Sequence, residues 1–304
     1  MKILVTGAGG FIGSHLASYL LKKDHDVVGT VFKKKINLGQ VETIACDLTD
    51  IKSVNQLVER SKPEIVFHLA GETLIMPSWN NPEKTIFTNL ISTLNLINEI
   101  IKLKKPAVLV IFGSSSEYFS DQNKSISEES VLFPSSPYAL SKIGQDLMSR
   151  MYAKREKIKT LVIRPFSIIG PGKIGDVCSD FARRIVAIER GQDSIISVGD
   201  TTIVRDFLDI DDAVSGVWKI AKKGKSPEAY NLCSGQPTSV KNILDIYQEL
   251  TPEKLTIRKK QYLFRPVDEP YKVGNNRKLK NLGWSQQITL KNSLKKIINY
   301  WRKQ

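Results

Sequence analysis

Tyr138 and Lys142 stand one helical turn apart in the run Ser135-Ser-Pro-Tyr138-Ala-Leu-Ser-Lys142, so their side chains share a helix face. An ammonium beside a phenol favours the phenolate. That neighbour is expected to lower the tyrosine pKa from about 10 towards neutral pH, and it makes Tyr138 a candidate general acid or base. Upstream, the apolar run Ala107 to Phe112 ends in Gly113-Ser-Ser-Ser-Glu117. Its hydroxyls would emerge at the carboxyl edge of a strand, where doubly wound sheets bind ligands. A tyrosine and a lysine at this spacing are common on exposed helices, so the pair gains meaning only from what surrounds it.

The element that must position them begins at the N-terminus. Met1-Lys-Ile-Leu-Val-Thr6 reads as a short buried strand, followed at once by Gly7-Ala-Gly-Gly10-Phe-Ile-Gly13 and a helical apolar pattern from Phe11 to Leu21. Glycines there leave backbone N–H groups free to point at a pyrophosphate at the positive end of a helix. In such folds an acidic residue at the end of the second strand selects NAD. Here Val27 to Phe32 is followed by Lys33, Lys34 and Lys35, with no Asp or Glu between Asp26 and Glu42. Asp26 lies at the wrong end of the strand to reach the ribose. Ammonium groups suit a 2′-phosphate, so NADP(H) is favoured and NAD(H) remains possible. Asp47, closing the third strand, is expected near the adenine amino group.

Further strands are expected at Val27–Val31, Val41–Ala45, Glu64–Leu69, Ala107–Gly113 and Thr160–Arg164, separated by helices. The fold class is therefore α/β: a doubly wound parallel (Rossmann) sheet with a smaller C-terminal substrate-binding lobe. The clearest seam follows Pro165. It divides a dinucleotide-binding domain (1–165) from a second lobe (166–304), with 201–222 expected to return to the first domain and the site in the cleft between.

The 304 residues are 41% hydrophobic and 25% charged, as in globular proteins. No apolar run reaches the roughly 18 residues of a membrane span, and with a strand expected from the first residues no signal peptide is expected. Cys46, Cys178 and Cys233 are few, scattered and outside any metal-binding spacing, which fits a reduced cytoplasmic setting and no metal site. The net charge of +14 raises a nucleic-acid-binding alternative. The lysines are scattered and form no aromatic-interleaved or recognition-helix motif, so a solvated surface is the better reading. A cofactor-sensing regulator without chemistry would be expected to lose Tyr138 or Lys142, and both are present.

Together, Thr6-Gly-Ala-Gly-Gly-Phe-Ile-Gly13, His68-Leu-Ala-Gly71, Asn89, Gly113-Ser-Ser-Ser-Glu-Tyr118, Tyr138-Ala-Leu-Ser-Lys142 and Arg164-Pro-Phe166 resemble the extended short-chain dehydrogenase/reductase superfamily over nearly the whole chain. The carboxyl half looks most like the enzymes acting on GDP-4-keto-6-deoxymannose and GDP-mannose, through Arg164-Pro-Phe-Ser-Ile-Ile-Gly-Pro-Gly172, Asp180-Phe-Ala-Arg-Arg-Ile185, Val204-Arg-Asp-Phe-Leu-Asp209, Tyr230-Asn-Leu-Cys-Ser-Gly235 and Arg265-Pro266. The resemblance implies that Ser115 hydrogen-bonds the sugar 4-oxygen, Tyr138 exchanges its proton, and Lys142 tunes Tyr138 and holds the nicotinamide ribose. It implies a cofactor resting on Gly7, Gly10, Phe11, Ile12, Gly13, Lys33, Asp47, Leu48, Leu69, Ala70, Gly71, Asn89 and Pro165. A GDP-linked sugar would meet Ser167, Arg183, Arg205 and Arg265. Ser167 replaces the asparagine these enzymes carry.

Glu117 separates the candidate reactions. A 4,6-dehydratase needs a carboxylate to remove the C5 proton, and related dehydratases place a glutamate two residues beyond the catalytic Ser/Thr, as Glu117 stands to Ser115. A reductase needs no such base. Reduction of GDP-4-keto-6-deoxymannose is the leading reading, with dehydration of GDP-mannose and an epimerase-like reaction as alternatives. The resemblance also implies a homodimer. Ile86, Leu90, Leu94, Ile97 and Ile101 form one apolar stripe, Leu140, Ile143, Leu147 and Met151 another, and Phe87, Ile91, Leu96 and Ile100 are surplus. Two such helices pairing with their symmetry mates would give a four-helix contact.

Overall fold

The computed structural model describes residues 1–32, 38–119, 124–263 and 269–304. The first half alternates strand and helix: β1 (Lys2–Thr6), α1 (Phe11–Leu21), β2 (Asp26–Val31), β3 (Glu42–Ala45), α2 (Ile51–Ser61), β4 (Ile65–His68), α3 (Ile75–Asn80), α4 (Pro82–Ile101), β5 (Val108–Phe112), α5 (Pro137–Glu156) and β6 (Thr160–Pro165). Each expected strand forms within a residue or two of its expected bounds. Apolar runs such as Ile65–His68 and Leu109–Phe112 are buried along their length, as central parallel strands must be.

The second half runs β7 (Ser167–Ile169), α6 (Val177–Glu189), β8 (Ile196–Val198), β9 (Val204–Asp209), α7 (Ile210–Lys223), β10 (Glu228–Leu232), β11 (Pro237–Ser239), α8 (Val240–Leu250), β12 (Ile257–Lys259), β13 (Tyr271–Lys272), α9 (Arg277–Asn281) and α10 (Leu290–Arg302). The main sheet is seven-stranded and parallel, in the order β10-β6-β5-β4-β1-β2-β3. Strand order reverses between β1 and β4, so the loops leaving their carboxyl ends diverge and open a crevice.

Two cores cover the sheet. On one face α1 and α7 bring Leu16, Ala17, Leu20, Val214, Val217 and Ile220 against Val5, Phe67 and Val110. On the other, α2, α4 and α5 close over Leu4, Val66 and Ile111. A third core, around Phe181, Ile185, Tyr247 and Ile297, holds the second lobe. Residues 201–222 split between them. Their helix, α7, joins the main-sheet core, whereas β9 pairs with β7, β11 and β13 in the small sheet. The seventh main-sheet strand is instead β10, beyond that segment, paired with β6 through Glu228–Leu232.

Helices α4 and α5 bury an unusual number of polar side chains. The buried side of α4 carries Thr85, Asn89, Ser92, Thr93, Leu96, Ile97 and Ile100; of the stripe read from sequence, Ile86, Leu90, Leu94 and Ile101 are only half-buried. Helix α5 encloses Tyr138, Ser141, Lys142, Gln145, Asp146 and Ser149 while exposing Leu140, Leu147 and Met151. The inner faces carry polar groups beside apolar ones such as Leu96, Ile97, Ile100 and Ile143.

Candidate active site

Helix α1 starts without a side-chain cap: its N-cap is Gly10 and its first turn carries no acid. Every other described helix of eight residues or more is capped by a side chain: Asp50, Asn81, Ser136, Asp176, Asp209, Ser239 and Thr289. The first N–H groups of a helix have no partner within it, so those of Phe11, Ile12 and Gly13 are directed at the crevice mouth. Gly7 turns the chain there at φ +68°, and a Cβ on it would stand 2.8 Å from the Ala70 nitrogen. This cradle fits a dinucleotide pyrophosphate.

Leu69, Ala70 and Gly71 border it from β4. The Asn89 side chain bridges the Glu72 backbone (2.8 and 3.1 Å) and Ser141 (2.8 Å), fixing the loop. Leu48 is buried, Pro165 ends β6, and Asp47 accepts from the Thr49 backbone (2.9 Å) and hydroxyl (2.7 Å) at the sheet edge. Lys33 lies outside the described residues.

Tyr138 is enclosed, and Lys142 Nζ lies 6.0 Å from its ring centre. The ammonium donates to the Phe112 carbonyl (2.8 Å) and to Gln145 Oε1 (2.9 Å). Burial pushes Lys142 down to about 8, opposed by Glu117. Burial pushes Tyr138 up to about 12, a hydrogen bond from the serine loop partly offsetting it. The phenol therefore departs from the expected lowering: the penalty for burying a phenolate outweighs the ammonium, whose hydrogen bonds go elsewhere. The serine bonded to the phenol is Ser114. The half-buried Ser115 begins the 3-10 turn Ser115–Glu117 that Ser114 caps.

Glu117 points inward. Its Oε1 accepts from the Ser114 backbone N–H at 2.6 Å and its Oε2 lies 3.1 Å from Arg164 Nε, with no exposed surface on either residue beyond 1%. Gly113 makes this possible, since a Cβ there would collide with the carboxylate. Arg164 also holds Asp146 (2.6 and 2.9 Å) and the Tyr118 hydroxyl (2.8 Å), and Tyr118 donates to Asn231 (2.6 Å). Burial, reinforced by Asp146 and opposed by Arg164, raises the Glu117 pKa to about 8.

In the second lobe a cavity of about 610 Å³ is lined by Ser167, Lys173, Asp180, Phe181, Arg184 and Arg205, among others. Arg205 is braced by the carbonyls of Val204 (2.9 Å) and Glu269 (2.6 Å). Arg183 is not part of the lining. Its guanidinium sits 5.3 Å from the Trp301 ring on the outer flank of α6, because one residue turns the helix by about 100° and gives the inner flank to Arg184. Arg265 lies outside the described residues. Lys173, Asp180 and Arg184 were not expected. The buried positions Phe181, Ala182 and Ile185 carry the helical phase that distinguishes Arg184 from Arg183.

The fold has counterparts. A family model described as GDP-mannose 4,6 dehydratase matches residues 4–297. The chain belongs to that family. As a member it is an NAD(P)-dependent nucleotide-sugar oxidoreductase of the extended short-chain dehydrogenase/reductase type. This dehydratase-family chain is 28% identical to a GDP-6-deoxy-D-mannose reductase of Pseudomonas aeruginosa over 99% of its length and 97% of the relative. It is 30% identical to a GDP-6-deoxy-D-talose 4-dehydrogenase of Aggregatibacter actinomycetemcomitans, covering 93% of this chain and 91% of that one. Among solved structures it is similar to RMD from Pseudomonas aeruginosa complexed with NADPH, with TM-score 0.88, 28% identity and coverage of 100% and 99%. A UDP-glucose 4-epimerase of Thermotoga maritima with UDP-glucose superposes equally well at 26% identity and the same coverage.

Proposed function

We propose that this chain is a reductase that uses NADPH to convert the 4-keto group of GDP-4-keto-6-deoxymannose to a hydroxyl, in the formation of a rhamnose-type deoxysugar. The observation that carries this reading over dehydration is the placement of Glu117. The carboxyl group that would have to take a C5 proton is enclosed, accepts from the Ser114 N–H and lies 3.1 Å from Arg164 Nε, and burial raises its pKa so that it already holds a proton at neutral pH. Reduction needs no such base. It needs a proton donor, and the raised pKa of Tyr138 keeps the phenol protonated at neutral pH.

When bound, the dihydronicotinamide supplies the hydride. Tyr138 would give its phenolic proton to the sugar 4-oxygen. The Ser115 hydroxyl hydrogen-bonds that oxygen, and Lys142 stabilises the phenolate left behind and holds the cofactor ribose. The first turn of α1 would hold the pyrophosphate. Arg205 offers a guanidinium to the sugar-nucleotide diphosphate, with Ser167 beside it. Asp180 supports a guanine base, whose Watson–Crick edge presents more N–H donors than uracil does. Lys33 to Lys35 and the NADPH-bound neighbour support NADP(H).

Exposed Phe87, Leu140, Leu147 and Met151 on the outer faces of α4 and α5 support a homodimer through a four-helix contact. Three buried unpaired cysteines fit the cytoplasm.

Two incubations test the reading. NADPH with GDP-4-keto-6-deoxymannose should be oxidised with formation of the 4-hydroxyl sugar. GDP-mannose with NADP should stay unchanged, and a 4-keto product from it would establish dehydration instead.

A further inference from the structure

Behind the reacting groups, buried polar side chains form one connected path from Lys142 to the cofactor loop. Lys142 Nζ donates to Gln145 Oε1 at 2.9 Å, and Gln145 Nε2 donates to Thr93 Oγ1. Thr93 gives its single proton to the Asn89 carbonyl at 2.9 Å, so toward His68 it acts as acceptor. His68 Nε2, at 3.1 Å, must therefore carry the ring proton. Its Nδ1 then accepts from Thr6 Oγ1 at 2.8 Å, and Thr6 in turn accepts from the Ala70 backbone N–H at 3.2 Å. Burial, with Lys142 nearby, pushes His68 down to about 3, which keeps the ring neutral. Lys142 can only donate, so Oε1 must face it and the Gln145 amide has one orientation.

We propose that Gln145 is a positioning residue that aims the Lys142 ammonium and sets the pH range over which it stays charged. A buried ammonium has three protons to place. Two are fixed on Phe112 and Gln145, which leaves the third for the reacting groups. The charged and titratable groups facing Lys142 are Tyr138 on its own helix, Glu117 from the serine turn and His68 from β4. Asp146, on the same helix, is taken up by Arg164 and Arg150. A neutral acceptor at 145 stabilises the ammonium without pairing it with a full charge. The inference rests on the reading that Tyr138 and Lys142 carry the proton chemistry.

The test measures the pH dependence of kcat/KM for the 4-keto sugar with saturating NADPH. Loss of the ammonium proton should set the alkaline limb, near pH 8. Gln145→Leu removes the acceptor and should move that limb down by about one unit, with kcat falling about tenfold and KM for the sugar nucleotide nearly unchanged. Gln145→Glu introduces a negative charge and should move it up by about one unit. Thr93→Val frees the amide without touching Lys142, and should shift the limb in the direction of Gln145→Leu even if that variant folds poorly. A structural role alone would not give shifts of opposite sign. If the folded variants keep the wild-type limb, or all shift the same way, the inference is overturned. Tyr138→Phe in the same assay separates the two levels: its retained turnover would overturn the underlying reading, whereas its loss beside unmoved limbs would overturn the role of Gln145 alone.

Discussion

The Oε2 atom of Glu117 lies 3.1 Å from Nε of Arg164, both side chains enclosed beneath the serine loop that follows β5. Glu117 thus shapes the loop from below, holding the Ser114 N–H while Ser114 bonds the Tyr138 phenol. Glu117→Gln keeps the size of the side chain and should lower reductase turnover only a few-fold. Glu117→Ala leaves buried groups uncompensated and should destabilise the fold by about 3 kcal/mol, measured by urea unfolding.

The same carboxyl makes stability depend on pH. Its folded pKa, about 8, is raised above the ordinary 4.5, so between those values the folded chain keeps a proton that the unfolded chain has lost. Its favourable contribution is complete below 4.5 and fades as pH rises through 8. The melting temperature of Glu117→Gln relative to wild type should therefore rise from pH 5 to pH 8. A constant difference would mean Glu117 is ionised throughout.

In the second lobe, Arg184→Ala and Arg205→Ala should each raise KM for the sugar nucleotide about tenfold, the loss of one charged hydrogen bond. Arg183→Ala should leave KM unchanged, because its guanidinium lies over Trp301. Equal effects of Arg183 and Arg184 would contradict the phase of α6.

Replacing Lys33, Lys34 and Lys35 together by Ala should weaken NADPH about tenfold or more while leaving NADH nearly untouched, read by fluorescence titration. Equal weakening of both would mean the lysines do not meet the 2′-phosphate.

Light scattering should report about twice the 34.2 kDa chain mass. Leu140→Asp with Leu147→Asp should give a folded monomer, since both residues are exposed in the single chain. A wild-type monomer at micromolar concentration would remove the four-helix contact.

Much of the fold was legible because it follows from local patterns. Buried parallel strands read as apolar runs, and helix α1 begins where glycine gives way to Phe11. The site was legible where spacing alone places residues, as with Tyr138 and Lys142. It was not legible where three-dimensional phase decides. Three consecutive serines differ only in their place around a 3-10 turn, and two consecutive arginines only by a rotation on α6. The apolar stripes of α4 and α5 were only partly legible because their buried faces mix polar and apolar groups: Asn89, Thr93, Lys142 and Gln145 are buried beside Ile97 and Ile143, while Leu140 and Met151 are exposed. The Tyr138 pKa ran opposite to expectation because burial is a property of the folded chain. Lys33 and Arg265 lie outside the described residues.

The most direct test of the central claim is hydride transfer from NADPH to GDP-4-keto-6-deoxymannose, followed by loss of NADPH absorbance in wild type and in Tyr138→Phe. The variant keeps the ring and its packing but has no proton to give. Its rate should fall by about 10² to 10⁴, with an unchanged melting temperature and unchanged NADPH affinity. A folded Tyr138→Phe that reduces the sugar at the wild-type rate would contradict the assignment of Tyr138 as the proton donor.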